Sequence, residues 1–296
     1  MTEPQEFKIN IIGERINPGF KSSKIFFDNE DIAGLQGLAL KQAQAGAWYL
    51  DINIGARALT DSAFMAEVIR AIQAVVTTPL AFDFPSAQVQ EVCLETYDRA
   101  RAGGQMPMIN SITEHRWDLM DLHKHFGPFK VIAMASERVE EGIAKGNKTA
   151  DEIYRTAKRC ALRLRNEYGM AMDDILIDVS VSAIIADTAG LNRSTLDAIK
   201  LIGNDPDLAG THRMGGLTNI AQQMPKKAAD GSELKHSLES AFLTLAVPYG
   251  FDTIIGTPWK RHQPLPEDNY VLKTYKNFLE QTGSNALRAV RKFYKA

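Results

Sequence analysis

Cysteine is nearly missing from this chain: Cys93 and Cys160 are the only two in 296 residues. Neither has a second cysteine at metal-ligand spacing, which sets aside both a disulfide framework and a cysteine-rich zinc site. Histidine is sparse too, with six in all. Neither sign of charge is in excess, since 34 Lys and Arg face 36 Asp and Glu for a net charge of -2 and a pI near 6.3. Such a balance carries no electrostatic footprint for nucleic acid or for an anionic membrane. No apolar run reaches membrane-spanning length, and the opening MTEPQEFKIN is polar and acidic where a secretory signal would be basic and then apolar. There is no P-loop, and no G-x-G-x-x-G follows an early strand. These absences lead us to expect a reduced, soluble, cytoplasmic protein that binds neither nucleic acid nor membrane.

What is present is a regular alternation. Short apolar runs (FKINIIGE, YLDINIG, LAFDF, PMINS, VIAMAS, ILIDVS, MGGLTNI, TIIGTP) are each followed by a helix-like stretch. The helices are predicted near residues 31–45, 62–76, 86–102, 116–125, 149–168, 194–202 and 233–247, with a last helical segment near the C-terminus; a Gly-rich loop follows VIAMAS. Near-continuous apolar strands alternating with helices indicate a parallel sheet covered on both faces, and eight β-α units close a barrel. The expected fold is therefore α/β, a (β/α)8 barrel. Ser62 and Thr149 stand where helix N-caps belong, Glu152 completes a capping box with Thr149, and Gly46, Gly103 and Gly169 fall where helices stop. No linker divides the chain, so residues 1–296 read as one domain, with residues 258–296 as a helical appendage.

The runs share a feature at or near their C-terminal ends: Asp51 and Asn53, Asp83, Asn110, Ser136, Asp178 and Asn219. In a barrel these ends converge on one mouth, where such enzymes hold their chemistry. A lone Asp at a strand end is usually a turn or cap residue, but six converging positions are not. A carboxylate accepts two parallel hydrogen bonds from an amino-amidine edge, and a primary amide both donates and accepts. A ring of Asp and Asn therefore suits a flat, donor-rich heterocycle such as an aminopyrimidinone rather than a metal.

IIGERIN (residues 11–17), LDINIG (50–55), the Asp83 strand, MINS (108–111), ILID (175–178) and GGLTN (215–219) resemble, in order and spacing, the motifs of the pterin-dependent methyltransferases. These include the methyltetrahydrofolate:corrinoid protein methyltransferases and the folate module of cobalamin-dependent methionine synthase. The similarity runs over residues 8–255. It implies a dihydropteroate-synthase-like barrel that binds tetrahydrofolate as a substrate, works with a corrinoid carried by a partner protein, holds no metal itself and pairs as a homodimer. By the same resemblance, Asp178 takes the exocyclic amine and ring N–H of the pterin, Asn110 bonds the adjacent edge, and Asp83 accepts from the reduced-ring side. Asn219 matches the catalytic asparagine beside N5. Gly216 and Gln222 belong to its loop, Lys227 falls near the benzoate or glutamate portion, and Glu14, Asn17 and Asn53 support the mouth. The implied activity moves a methyl group between a corrinoid protein and N5 of tetrahydrofolate. A free-standing barrel resembles the second methyltransferase of anaerobic demethylation, with glycine betaine or methoxyaromatic compounds as upstream donors; the reverse direction is not distinguished by the pocket.

The chain also departs from the family. Phe84-Pro85-Ser86 follows Asp83 where Ser-Ser/Thr-Asn is usual, and Val179 replaces a common proline. Dihydropteroate synthase is the first alternative, but its NVTPDSFSDGG-type loop and later Lys and Ser-x-Arg elements have no match; a pterin-binding protein without turnover is the other. The stretch from Asp121 to Gly127 nearly spells a D-x-H-x-x-G corrinoid-ligand motif with its glycine one residue late, so His123 reads as a solvated helix residue. Cys93 and Cys160 read as helix packing residues, as do Trp48, Trp117 and Trp259 in core or interface. Residues 248–259 are an aromatic-rich candidate for the dimer contact. Arg288, Arg291, Lys292 and Lys295 make the final helix basic, as a solvated face or a contact for an acidic corrinoid protein.

Overall fold

The computed structural model describes residues 6–294. In chain order the strands are β1 (Asn10–Ile16), β2 (Tyr49–Ile52), β3 (Leu80–Asp83), β4 (Met108–Ile112), β5 (Lys130–Met134), β6 (Glu137–Glu140), β7 (Ile143–Gly146), β8 (Ile175–Asp178), β9 (His212–Gly216) and β10 (Phe251–Gly256). All but β6 and β7 close one barrel in the order β1-β10-β9-β8-β5-β4-β3-β2, and every pairing in it is parallel. The (β/α)8 barrel expected from the eight alternating units is borne out.

The helices are α1 (Lys21–Asp28), α2 (Ile32–Gln44), α3 (Ser62–Gln73), α4 (Ala87–Thr96), α5 (His123–Phe126), α6 (Ala150–Tyr168), α7 (Leu191–Asn204), α8 (Leu234–Ala246), α9 (Tyr270–Leu279) and α10 (Gly283–Val290). Four local expectations need correction. Residues 21–28 add a helix that the periodicity did not show. The cap of α3 is Asp61, whose carboxylate accepts from the Phe64 N–H; Ser62 is already helical. Residues 116–125 form mostly a 3-10 turn at Trp117–Leu122, continued by the single turn of α5. The supposed Gly-rich loop is the antiparallel β6–β7 hairpin. Among the described residues no helix is long and apolar enough to cross a membrane.

The main core lies between barrel and helices. Outward residues such as Ile52, Phe82, Ile109, Val131 and Ile177 meet the apolar stripes of α3, α6, α7 and α8 there. Cys93 and Cys160 are buried in this layer, where burial pushes both thiols up and leaves them inert. His123 lies in α5 as a partly exposed residue, its ring edge-on to Phe129 and Tyr168. The tryptophans are packing residues: Trp48 meets Tyr49, Trp117 donates to Tyr168 Oη at 3.0 Å, and Trp259 lies under the Lys41 ammonium.

After β10 the chain docks on the barrel side. α9 buries Val271, Leu272, Tyr275 and Phe278, and Tyr275 donates to Asn192 Oδ1 of α7 at 3.0 Å. Lys295 lies outside the described residues.

α6 has the clearest local code. Thr149 Oγ1 accepts from the Glu152 N–H at 3.2 Å, Glu152 Oε2 accepts from the Thr149 N–H at 3.1 Å, and Gly169 ends the helix at φ +65°, a left-handed conformation that only glycine enters freely. Thr149→Ala should lower unfolding stability by about 1 kcal/mol in chemical denaturation. An unchanged midpoint would mean that the cap contributes nothing to the fold.

Candidate active site at the barrel mouth

Side chains of a strand alternate between its two faces. Ile12, Tyr49, Ala81, Met108, Ile132, Leu176 and Met214, one from each of seven barrel strands, form an apolar plug inside the barrel, with Ile255 of the eighth packed on it. Two residues further along each strand the inward positions are Glu14, Asp51, Asp83, Asn110, Met134, Asp178, Gly216 and Thr257. The ring of acids and amide at the mouth is thus one register step above the plug. β5 contributes Met134 to this ring; Ser136, expected there, lies past the strand end and lines a separate small cavity. Stagger between strands brings Asp51 level with Ala81, so Asp51 sits deepest, at 3% exposure.

Each acid of the first three strands is held by a neighbour. Asn110 Nδ2 donates to Asp51 Oδ1 at 3.1 Å. Asn53 Nδ2 donates to Asp83 Oδ2 at 2.9 Å, and its own Oδ1 accepts from the Gly55 N–H at 2.7 Å, fixing the amide. Glu14 accepts from Thr218 Oγ1 and Thr257 Oγ1, both at 3.1 Å. Asp178 Oδ1 accepts from the Ser180 N–H at 2.7 Å.

Asn219 does not end a strand but sits in the 3-10 turn Leu217–Ala221 after β9. Gln222 Nε2 donates to Asn219 Oδ1 at 2.8 Å. The Asn219 Nδ2 group passes so close to Gly216 that a Cβ there would stand 2.8 Å from it. Gly216 is therefore a positioning residue, leaving room for the amide that Gln222 clamps.

The open cavity over the ring measures about 510 Å³, within the range of small-molecule sites. Its lining includes Glu14, Asn17, Asp83, Asn110, Asn219 and Gln222 from the expected set. Asp178, Gly216 and Asn53 are not in the lining, although the first two hold ring positions and the third orients Asp83. Lys227 is not brought to the site: it is exposed, in a turn bridged to Glu233. The cations that line the cavity are Arg15, Lys235 and Lys260. Lys235 lies in the first turn of α8, and only the fold brings this turn over the mouth. Phe20, held beneath the Arg15 guanidinium at 4.0 Å, is an aromatic wall that no motif pointed to.

Burial dominates the electrostatics. It raises Glu14 against the pull of its two threonine hydroxyls. It raises Asp51 well above the ordinary carboxylate value, helped by the nearby Asp83 charge. Asp83 is raised by burial and opposed by Asn53 and the Arg116 charge. Burial brings Asp178 to about 6, against the Ser180 N–H. A mouth of reluctant carboxylates with few cations of its own is complementary to a neutral ligand rich in N–H donors.

Stability depends on pH through the same burial. With its carboxyl raised in the fold from 3.8 to about 6, the folded chain binds the Asp178 proton more tightly than the unfolded chain does. The contribution is complete below 3.8 and is lost as pH rises through about 6. Asp178→Asn should therefore stabilise the free protein by on the order of 1–3 kcal/mol at pH 8 and change little near pH 4. A destabilised variant at pH 8 would show that the carboxylate is not strained. Gly216→Ala should disturb the mouth while leaving the melting temperature within a few degrees; an unperturbed Asn219 in its crystal structure would remove the positioning role.

No family model matches the chain. A curated relative, "Methylcorrinoid:tetrahydrofolate methyltransferase" of Eubacterium limosum, is 23% identical over 259 residues, which cover 85% of this chain and 86% of that protein. Among solved structures, a dihydropteroate synthase from Thermus thermophilus superposes with a TM-score of 0.55 at 14% identity, covering 86% of this chain and 89% of that one. The Xanthomonas albilineans dihydropteroate synthase in complex with 7,8-dihydropteroate gives 0.52 at 18% identity, over 84% and 87%. The resemblance read from the six motifs therefore holds, and this chain is similar in sequence to a methylcorrinoid:tetrahydrofolate methyltransferase and in fold to the dihydropteroate synthases.

Proposed function

We propose that the chain is a methyltransferase that moves a methyl group from a corrinoid protein to N5 of tetrahydrofolate, in an anaerobic demethylation system whose upstream donor is glycine betaine or a methoxyaromatic compound. The observation that carries this reading is Asn219, an amide clamped through Oδ1 by Gln222 at the edge of a carboxylate-lined cavity. A site built only to bind a pterin has no need of a clamped amide outside the ring. The name of the Eubacterium limosum relative agrees with the reading. The dihydropteroate synthase alternative rests on fold likeness, and the loop elements of that enzyme are missing from this sequence.

The corrinoid supplies the methyl group and keeps the electron pair of the broken cobalt–carbon bond, while the N5 lone pair forms the new bond and N5 gives up its proton to water at the open mouth. The chain's task is to hold the pterin still beneath an open mouth. Asp178, Asp83 and Asn110 present acceptors and an amide to the donor-rich edge, and Glu14 braces the 218–219 turn through Thr218. Asn219 Nδ2 is the free donor toward the N5 lone pair. Turning the amide exchanges the Gln222 bond for one from a protonated N5, so one side chain follows the charge through the reaction. Positioning and preorganised hydrogen bonding then supply the catalysis. Lys235 takes the role assigned to Lys227 near the glutamate portion. The working form is a homodimer; of the segment 248–259 expected to join it, Phe251–Gly256 is taken up by barrel strand β10, which leaves Tyr249 as the exposed aromatic for the contact.

Methylcob(III)alamin and tetrahydrofolate should yield cob(I)alamin and methyltetrahydrofolate with the wild-type protein, and Asn219→Ala should slow this by about 10 to 1000-fold. Folate affinity should change far less, because Asp83, Asn110 and Asp178 remain. Folate binding without turnover by free or protein-bound corrinoid would favour a non-catalytic pterin-binding protein. Loss of binding with an unchanged rate at saturating folate would make Asn219 a ground-state anchor.

A further inference from the structure

We propose that His236, Glu239 and His262 form a binding site for a single divalent transition-metal ion of the zinc type, built into the wall of the mouth cavity. His236 and Glu239 stand three residues apart on α8 and so share one face of the helix. His262 comes from the segment after β10, and one ligand atom from each of the three residues falls within 4.8 Å of the other two. His262 Nε2 already stands 3.5 Å from Glu239 Oε2, close to the roughly 3.4 Å between donors on a tetrahedral ion with bonds of about 2.0–2.1 Å. The two imidazole rings lie nearly parallel, 19° apart with centroids at 4.8 Å; because a ligating lone pair lies in its ring plane, His236, which is only partly buried, must turn out of this stack to share an ion with His262. Ser240 Oγ lies 3.3 Å from His262 Nδ1, the kind of supporting contact that orients a ligand histidine by its other nitrogen. Two imidazoles and one carboxylate are a donor set that zinc accepts, with a fourth position left for water or another ligand.

A cation already occupies part of this space. Lys260 Nζ sits 3.0 and 3.2 Å from the two Glu239 oxygens and must leave when the metal enters. It has somewhere to go, since Lys260 and Glu239 both line the mouth cavity and the Lys260 side chain is 35% exposed. Metal binding and the mouth thus compete for one ammonium: loading the site turns Lys260 into the cavity, where it can meet an anionic group. No spacing along the chain signals this arrangement, because the third ligand is separated from α8 by a whole strand.

Metal content is read independently of methyl transfer. Protein stripped with EDTA and then equilibrated with zinc(II) should retain one ion per chain by elemental analysis. Cobalt(II) in its place should give the visible absorption of a tetrahedral site. His236→Ala should weaken zinc binding by more than about 100-fold, beyond the loss expected for a merely supporting group; its partly exposed position makes it the variant that should fold if His262→Ala does not. Lys260→Ala should tighten binding, and His125→Ala, on α5, should leave it unchanged. A wild-type protein that retains no zinc, or a His236→Ala variant that binds as the wild type does, overturns the site. So would zinc binding confined to Lys260→Ala, which would show that the ammonium is the permanent occupant.

Discussion

The mouth of this barrel depends on keeping carboxyl groups close together where water solvates them poorly. Glu14, Asp51 and Asp83 rise from the adjacent strands β1, β2 and β3 and Asp178 from β8 on another side of the mouth, all one step above an apolar plug, and burial is the largest influence on each of them. Among the described residues no salt bridge reaches any of these four carboxylates. Neutral donors do so instead: Asn110 on Asp51, Asn53 on Asp83, two threonines on Glu14 and a backbone N–H on Asp178. A neutral donor holds an acid in place while leaving it short of hydrogen bonds. The shortage makes the ring selective for a ligand that brings donors of its own.

The catalytic arrangement we propose follows from the same constraint. A charged group beside the ligand would disturb the acids of the mouth, whereas an amide adds dipoles without net charge. Asn219 meets that need from a turn outside the strands, and its position rests on two neighbours. Gln222 fixes the oxygen, and Gly216 leaves the space the amide nitrogen occupies. Thr218, in the same turn, is tied to Glu14 across the barrel. Ring and turn are therefore one mechanical unit.

Barrel closure was legible because eight alternating strand and helix units allow it, and the acid ring because period-two alternation fixes its facing: once Ala81 and Leu176 face inward, so do Asp83 and Asp178. The capping box of α6 was legible because it is local in sequence. Residues that reach the mouth by tertiary packing were not. Lys235 and Lys260 come from α8 and from the segment after β10, and no spacing rule relates them to the ring, whereas Lys227 carried the right charge on a turn that faces solvent. Residues 116–125 read as a helix because their apolar spacing suits one, yet they form a 3-10 turn. The β6–β7 hairpin was hidden by its glycines and charges, which looked like a loop because neither of its faces is buried.

If the acid ring is the pterin site proposed for it, its carboxylates give up protons as they take up the ligand's donors. Calorimetric titration of tetrahydrofolate near pH 6, repeated in buffers of different ionisation enthalpy, tests it most directly. The predicted result is saturable binding of one ligand per chain with net proton release to the buffer, reflecting Asp178 held at about 6 in the free protein. Titrations without saturable heat, or binding with no exchange of protons at that pH, would contradict it.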